Sequence, residues 1–201
     1  MTLVEDVVVR RLGRVDYQST WQSMRAFTRE RDDSTADQLW LLEHPSVYTL
    51  GQGMKEITLA SPIPVIRTDR GGDITYHGPG QAVIYTLVDL ARRSIKVKRF
   101  VWLLEESVIE LLQGRAQRKP GAPGVYVDGA KIAALGIRVA RGRAYHGVAL
   151  NVDMDLSPFD AIDPCGYPGL RVTQMKNLGL TDSPEKAGSR LAQILIEKLD
   201  A

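Results

Sequence analysis

The sequence predicts an α+β fold with a central mixed or antiparallel sheet flanked by helices. Segments rich in apolar and β-branched residues are concentrated in the middle of the chain, where they predict strands. Amphipathic patterns with helical spacing occur near both ends and once between them, so helices and strands do not alternate strictly. No linker, repeat or low-complexity tract divides the 201 residues, and we expect a single domain over 1–201.

Each of the three predicted helices has a start or stop signal. Asp16 is predicted to cap the first helix, and Ser183 followed by Pro184 is predicted to begin the last one. Between them, residues 100–112 carry one apolar stripe, and Gly114 suits the C-terminal cap of that helix. Ser157-Pro158 predicts one further helical turn.

The predicted strands are short, and turn residues separate them. They are 4–11, 38–43, 47–50, 65–67, 82–88, 125–127, 132–140 and 143–152. A two-residue turn at Arg141-Gly142 places Leu135 opposite Val148 and Ala134 opposite Ala149. Strand alternation then predicts that Lys131 shares an apolar face with Ala133 and Leu135.

Composition excludes several classes of protein. Hydrophobic residues make up 44% of the chain and charged residues 25%, which argues against disorder. The net charge of +2 does not indicate nucleic acid, and no segment approaches the roughly 18 apolar residues of a membrane span. The first residues include Glu5 and Asp6 and lack the pattern of a secretory signal, and Cys165 is the only cysteine. We therefore expect a cytoplasmic protein with no nucleic-acid or membrane partner.

A glycine-rich segment covers residues 70–81. Its four glycines allow backbone to approach a ligand closely and to present N–H groups to it. The segment lacks the Gly-Lys-Ser/Thr ending of a phosphate-binding loop, and its glycine spacing differs from the dinucleotide fingerprint. A wide connecting loop is the structural alternative.

Cys165 and Lys131 are candidate reactive residues. A lone cysteine is most often a small buried hydrophobic residue, but Pro164 and Gly166 place this one in a turn, where neighbouring cations can favour the thiolate. A lysine at a strand start usually reaches solvent, whereas a desolvated lysine can act as a base or pair with a thiolate.

The three histidines do not have metal-ligand spacing, and we expect no metal ion. His44 precedes a proline and is interpreted as structural. His77 and His146 each precede a glycine, and both are predicted to line the same cavity.

Two basic runs give the chain an uneven charge distribution. The first contains Arg92, Arg93, Lys96, Lys98 and Arg99, and the second contains Arg115, Arg118 and Lys119. They form either a solvated surface or a docking surface for an acidic partner.

Taken together, these segments resemble the lipoyl(octanoyl) transferases. The matching motifs are RGGDITYHGPGQ at 70–81, GAKIAALG at 129–136, HGVALNV at 146–152 and PCGY at 164–167, with further support from HPSVYTLG at 44–51 and LSPF at 156–159. The likeness covers about residues 38–175. It implies a fold related to the biotin and lipoate protein ligases and makes the single domain a catalytic one.

The resemblance also implies a reaction and its residues. An octanoyl group passes from octanoyl-acyl carrier protein to a lysine of a lipoyl domain, with Cys165 as the acyl-carrying nucleophile and Lys131 as its partner. Residues of three segments are implied to bind substrate: Arg70, Gly71, Gly72, Asp73, Ile74, Thr75, Tyr76 and His77; Ala134, Leu135 and Gly136; and Gly147, Val148 and Ala149. The implied acceptors are the lipoyl domains of 2-oxoacid dehydrogenase complexes and the glycine cleavage H protein. We expect a monomer that needs no cofactor.

Two alternatives of other classes stay open on sequence alone. An ATP-dependent lipoate or biotin ligase of the same fold forms an acyl-adenylate and does not need Cys165. A non-catalytic module binds a carrier protein or lipoyl domain through the basic run and transfers no acyl group.

Overall fold

The computed structural model describes residues 7–54, 57, 59–162 and 169–201. Within these ranges the chain forms ten strands in two sheets and three α-helices: α1 Tyr17–Glu30, α2 Val97–Leu111 and α3 Pro184–Leu199. The strands are β1 Val8–Arg14, β2 Gln38–Glu43, β3 Val47–Leu50, β4 Val65–Arg67, β5 Ile74–His77, β6 Gln81–Asp89, β7 Gln117–Arg118, β8 Val125–Val127, β9 Ala130–Ala140 and β10 Arg143–Asn151. No helix within these ranges is both long and apolar enough to cross a bilayer.

A mixed seven-stranded sheet forms the centre of the fold. Its strand order is β1-β2-β6-β10-β9-β8-β7, in which β1 and β2 are parallel and the other neighbours are antiparallel. Helices α2 and α3 pack on one face of this sheet, where Phe100 and Leu191 meet Ile84 in the larger core cluster. Helix α1 covers the other face, where Tyr17 and Met24 pack near Tyr85. The predicted fold class, a mixed sheet flanked by helices, is confirmed.

The helix caps follow the sequence signals. The carboxylate of Asp16 accepts a hydrogen bond from the Ser19 N–H at 2.9 Å, and the Ser183 side chain accepts one from the Lys186 N–H at 3.2 Å. Two details differ from the prediction. Helix α2 begins at Val97, and the helical turn Ser157–Ala161 takes Leu156 as its N-cap.

The glycine-rich segment contains strand β5, which the sequence analysis interpreted as part of a loop. All four residues of β5 are buried. The strand pairs antiparallel with β3 in a second, three-stranded sheet of order β4-β3-β5, with Ile74 opposite Leu50 and His77 opposite Val47. The pairing partner lies more than twenty residues earlier in the chain, so local sequence carries no signal for this sheet.

The register of the β9–β10 hairpin is confirmed. Arg141 and Gly142 have φ values of 51° and 78°, as a two-residue hairpin turn requires, and Leu135 lies opposite Val148. The predicted face of Lys131 is confirmed for Leu135, which lines the same cavity as Lys131, and is wrong for Ala133. A β-bulge interrupts the pairing of β8 with β9, so Ile132 and Ala133 both join the larger core cluster, and Lys131 lines a cavity together with Ala134.

Candidate active site

A cavity lies against β5, β6, β9 and β10. The structure brings together around it most of the residues implied by the resemblance. These are Arg70, Gly72, Asp73, Ile74, Thr75, His77, Lys131, Ala134, Leu135, Gly136, Gly147, Val148 and Ala149.

Two of the implied substrate-binding residues lie outside the lining of this cavity. Tyr76 points into a separate core cluster, where its ring contacts Tyr48 and Phe159 and its hydroxyl lies 2.9 Å from that of Ser46. Gly71 lines a second space that adjoins the cavity.

Small residues on two neighbouring strands leave space for the cavity. Ala134 lies opposite Ala149, and Gly136 lies opposite Gly147. A Cβ at Gly147 would lie 2.1 Å from the Ile84 carbonyl oxygen, and one at Gly136 would lie 2.9 Å from the Gly71 oxygen. Glycine is therefore required at position 147 for β10 to pack against β6.

Lys131 is buried, with 3% of its surface exposed. Its Nζ lies 3.5 Å from the Pro123 carbonyl oxygen and 5.4 Å from the centroid of the Tyr126 ring. Gly124 makes room for the stem of the lysine, since a Cβ there would lie 3.0 Å from Lys131 Cε. The aromatic ring and the glycine thus fix the position of the lysine side chain, which lines the cavity.

The chain that follows the PCGY motif runs alongside Lys131. The backbone N–H of Lys131 donates to the Arg171 oxygen at 2.8 Å, and the Thr173 N–H donates to the Lys131 oxygen at 2.9 Å. Val172 forms a parallel bridge with Lys131 and also lines the cavity. Cys165 itself lies outside the described residues.

Arg70 holds the glycine-rich segment in place. Its guanidinium donates to the carbonyl oxygens of Thr49, Gly71 and Asp73 at 2.6–2.9 Å and also to the Thr49 hydroxyl. Because these bonds join β3 to the loop before β5, Arg70 shapes the cavity wall as a structural crosslink.

His77 and His146 both line the cavity, as predicted. The amide nitrogen of Gln81 donates to Asn151 Oδ1, so its oxygen accepts from His77 Nδ1–H at 2.7 Å. This arrangement leaves the lone pair of His77 on Nε2.

Asp69 orients His146. His146 Nε2 donates to the Asp69 carboxylate at 2.9 Å, and Tyr145 and Trp21 donate to the same carboxylate. Burial raises the pKa of Asp69, but these hydrogen bonds outweigh burial and lower it. Within the described part of the chain, His146 Nδ1 is buried without a hydrogen-bond partner.

His44 is structural, as interpreted from the sequence. It is fully buried, its Nδ1–H donates to the Val15 carbonyl oxygen, and its Nε2 accepts from the Tyr85 hydroxyl, both at 2.7 Å. Burial lowers the pKa of His44 to about 4 and that of His77 to about 3, and it also lowers the pKa of His146. All three imidazoles are therefore neutral at neutral pH, so His77 and His146 add no charge to the cavity wall.

The buried histidines predict a loss of stability in mild acid. Their pKa values are lower in the folded than in the unfolded state, where a histidine titrates near 6.5, so the unfolded chain binds more protons below that pH. The stability they contribute is complete above about pH 6.5 and is lost as pH falls towards about 4. We expect the Tm to fall by about 5 °C or more between pH 7 and pH 4.5. The substitution His77→Gln should flatten this slope, and a Tm independent of pH over this range would contradict the prediction.

Several residues that line the cavity were not predicted as site residues from the sequence. They are Tyr17, Val83, Tyr85, Asn151, Phe159 and Val172. Tyr17 and Val83 belong to regular patterns of α1 and β6 that are typical of core residues, so nothing in those patterns distinguishes a cavity wall from ordinary packing. Among the residues that the structure describes, no three histidine, aspartate or glutamate side chains are grouped to hold a metal ion.

The first basic run is divided between two roles. Arg92 and Arg93 both bond the buried carboxylate of Asp37, at 2.7 and 2.6 Å, and Arg93 also bonds Asp200 at 3.0 Å. These two arginines thus serve the fold and do not contribute free charge to a docking surface. Lys98 and Arg99 are exposed.

Comparison with known structures defines the class of protein. Lipoate-protein ligase A bound with ATP superposes with a TM-score of 0.77 over 96% of this chain and 85% of that chain, at 15% identity. The biotin protein ligase from Aquifex aeolicus in complex with biotin and ATP superposes with a TM-score of 0.61 over 96% and 70%, at 13% identity. At these identities the likeness establishes the fold of the lipoate and biotin protein ligases.

Sequence comparison then establishes the family. The family model of the lipoyl protein ligase A/B catalytic domain matches residues 16–195. An octanoyltransferase from Aromatoleum aromaticum is 58% identical over 194 residues, which cover 94% of this chain and 84% of the relative. The chain belongs to the lipoyl protein ligase A/B catalytic domain family.

Proposed function

We propose that the protein moves an octanoyl group from octanoyl-acyl carrier protein to a specific lysine of lipoyl domains, through a thioester on Cys165. Relatives named octanoyltransferase support octanoyl transfer in protein lipoylation. One observation carries the finer mechanism: a buried lysine, Lys131, lines a cavity with a largely apolar wall, and its backbone is hydrogen-bonded to the chain that follows the PCGY motif.

The position of the cysteine in the chain supports its pairing with Lys131. Cys165 precedes Arg171 by six residues, and the Arg171 oxygen accepts the backbone N–H of Lys131. On its other side, Cys165 follows Ile162 by three residues, which span at most about 11 Å. Ile162 packs in the same core cluster as Phe159, a residue of the cavity wall.

The proposed chemistry proceeds through two acyl transfers. The Cys165 thiolate attacks the donor thioester carbonyl, the carbon–sulfur bond to the carrier breaks, and the carrier thiol leaves with a proton from the Lys131 ammonium. The acceptor lysine, as a neutral amine, then attacks the Cys165 thioester, an amide forms, and the thiolate is released while Lys131 takes up the proton of the amine. Cysteine suits both steps because it is a strong nucleophile and a good leaving group.

The apolar part of the cavity wall suits the alkyl chain of an octanoyl group. Ala134, Ala149 and Gly147 leave an apolar slot between β9 and β10, and the neutral His77 adds no charge to its wall. The acceptors proposed are the lipoyl domains of 2-oxoacid dehydrogenase complexes and the glycine cleavage H protein. The proposed enzyme is a cytoplasmic monomer with a single catalytic domain over 1–201.

Intact mass measurement tests the acyl-enzyme. After incubation with octanoyl-acyl carrier protein, we expect one added octanoyl group that hydroxylamine removes and that peptide mapping locates at Cys165. The Cys165→Ala variant should not form the thioester adduct. An unchanged hydroxylamine-labile adduct in Cys165→Ala would contradict the assignment.

The ligase alternative is tested in the same assay. Octanoate with ATP replaces the carrier-bound donor, and octanoylation of a lipoyl domain is measured. We expect modification only with the thioester donor. Equal transfer from octanoate and ATP, retained in Cys165→Ala, would favour an adenylating ligase.

A further inference from the structure

We propose that the N-terminal half of α2, centred on Trp102, is the docking surface for an acidic protein that carries the acyl donor. This inference rests on the proposed function, because it assigns the partner of the same cavity. The surface consists of Lys96, Val97, Lys98, Arg99 and Trp102 on α2, together with Arg118 on β7.

The centre of this surface is an exposed tryptophan between two arginines. Trp102 is 38% exposed and Val97 is 47% exposed, so two of the four exposed large hydrophobic residues in the described part of the chain lie on this surface. The guanidinium of Arg99 lies 4.2 Å from the ring centroid of Trp102, and that of Arg118 lies 4.6 Å from it. Tryptophan and arginine are the residues most enriched at energetically dominant positions of protein interfaces. The stacked guanidinium of Arg99 keeps its N–H groups available to carboxylates. Arg118 also pairs with Glu105 and Glu106, so it holds the tryptophan ring in place and does not contribute free charge.

The charges at the start of α2 oppose the stability of the helix itself. Lys96 is the N-cap residue and makes no capping hydrogen bond through its side chain, and the first turn contains no acid. Cations at a helix N-terminus are unfavourable because the helix dipole is positive there. Within the described part of the chain, no carboxylate lies within 4 Å of Lys96 or Lys98. The arrangement therefore concentrates positive potential on a surface where the fold does not use it.

This surface adjoins the proposed acyl site. Val101, next to Trp102, lines a space together with Gly71 and Ile137. Gly72, Asp73, Leu135 and Gly136 line both this space and the main cavity. A partner seated on Trp102 thus has a short route along which an acyl-bearing arm can reach the cavity.

The charge distribution favours an acidic protein over other occupants. A two-fold contact between copies of this chain would bring the same cations face to face, which is repulsive. A nucleic acid would be expected to require a more extended basic surface than this, on a chain whose net charge is only +2.

Charge reversal tests the surface. In Lys96→Glu/Lys98→Glu, we expect KM for octanoyl-acyl carrier protein to rise about tenfold at low salt with kcat little changed, and the difference to shrink as salt increases. Transfer from octanoyl-N-acetylcysteamine, a small thioester without the protein, should be unchanged. The matched control Arg29→Glu/Lys186→Glu reverses two exposed cations on α1 and α3 and should leave KM for both donors unaltered.

The outcomes separate this proposal from the proposed function. Active variants with wild-type KM for the carrier-bound donor would overturn the docking surface and leave octanoyl transfer standing. If the wild type transfers no octanoyl group from either donor, the proposed function is contradicted. The docking surface is then tested separately by measuring direct binding of octanoyl-acyl carrier protein to the wild type and to the variant. The docking surface would be overturned if wild type and variant bound the carrier protein equally well. It would also be overturned if the wild type bound a DNA duplex as tightly as the carrier protein.

Discussion

Replacing Lys131 by alanine is expected to lower kcat for octanoyl transfer by about two to four orders of magnitude, the range of general acid–base catalysis. In the proposed mechanism the lysine supplies a proton in the first acyl transfer and recovers one in the second, so its loss affects both chemical steps. KM for the donor should change much less than kcat, because the apolar cavity wall is retained. Steady-state kinetics at a fixed acceptor concentration measures this split.

Alkylation of Cys165 by iodoacetamide provides a second readout. An adjacent ammonium stabilises the thiolate, so the wild-type thiol should react at a pH below the value of about 8.5 for a free cysteine. In Lys131→Ala the pH profile of alkylation should shift upward. Lys131→Met should show the same upward shift as Lys131→Ala. Because methionine preserves the packing of the lysine stem, this variant separates loss of the amine from a packing defect.

Two further variants define the role of the amine. Lys131→Arg should not restore activity fully, since a guanidinium can pair with a thiolate but does not release a proton near neutral pH. Lys119→Ala is a matched control, because Lys119 lies 6.0 Å from the same Tyr126 ring but is exposed. An alkylation profile unchanged by Lys131→Ala, with normal turnover, would show that Lys131 is not the partner of Cys165.

Replacing Asp37 by alanine is expected to destabilise the fold by about 3–5 kcal/mol, the usual cost of breaking a buried ion pair. The side chains of Asp37 and Arg31 are each 1% exposed and are joined by a 2.7 Å bond. Burial raises the pKa of Asp37, but hydrogen bonds from Arg93, from the Asp89 N–H and from Arg31 outweigh it and lower the pKa. Removal of the carboxylate leaves Arg31 buried without its counter-ion. Urea unfolding measures the loss.

The same cluster supplies its own controls. The double variant Asp37→Ala/Arg31→Met removes both buried charges and should recover part of the stability lost in the single variant. Glu30→Ala breaks the exposed pair with Arg29 and should cost less than about 1 kcal/mol. If Asp37→Ala costs no more than Glu30→Ala, the cluster does not stabilise the fold, and Arg92 and Arg93 regain their place as candidate docking residues.

The features that the sequence predicted well depend on neighbours along the chain. Asp16 and Ser183 cap helices because each bonds an N–H three residues ahead. The register of β9 with β10 follows from a two-residue turn, which leaves one pairing available to the flanking strands. The family motifs, too, are contiguous, and residues 134–136 and 147–149 meet because the hairpin joins them.

The sequence alone thus determined the three helices and the hairpin register, since each depends on short-range order, and it carried the family resemblance in contiguous motifs. It predicted a mixed or antiparallel sheet, and the pairing of β1 with β2 made that sheet mixed. Only the tertiary structure decided which face Lys131 occupies, because the bulge that turns it depends on the pairing of β9 with β8. Only the tertiary structure assigned Arg92 to Asp37, which lies 55 residues earlier in the chain. Strand β5 also required its partner β3. A contact between distant segments produces no periodic pattern in the sequence of either segment. Its partners are therefore identified only in the folded structure.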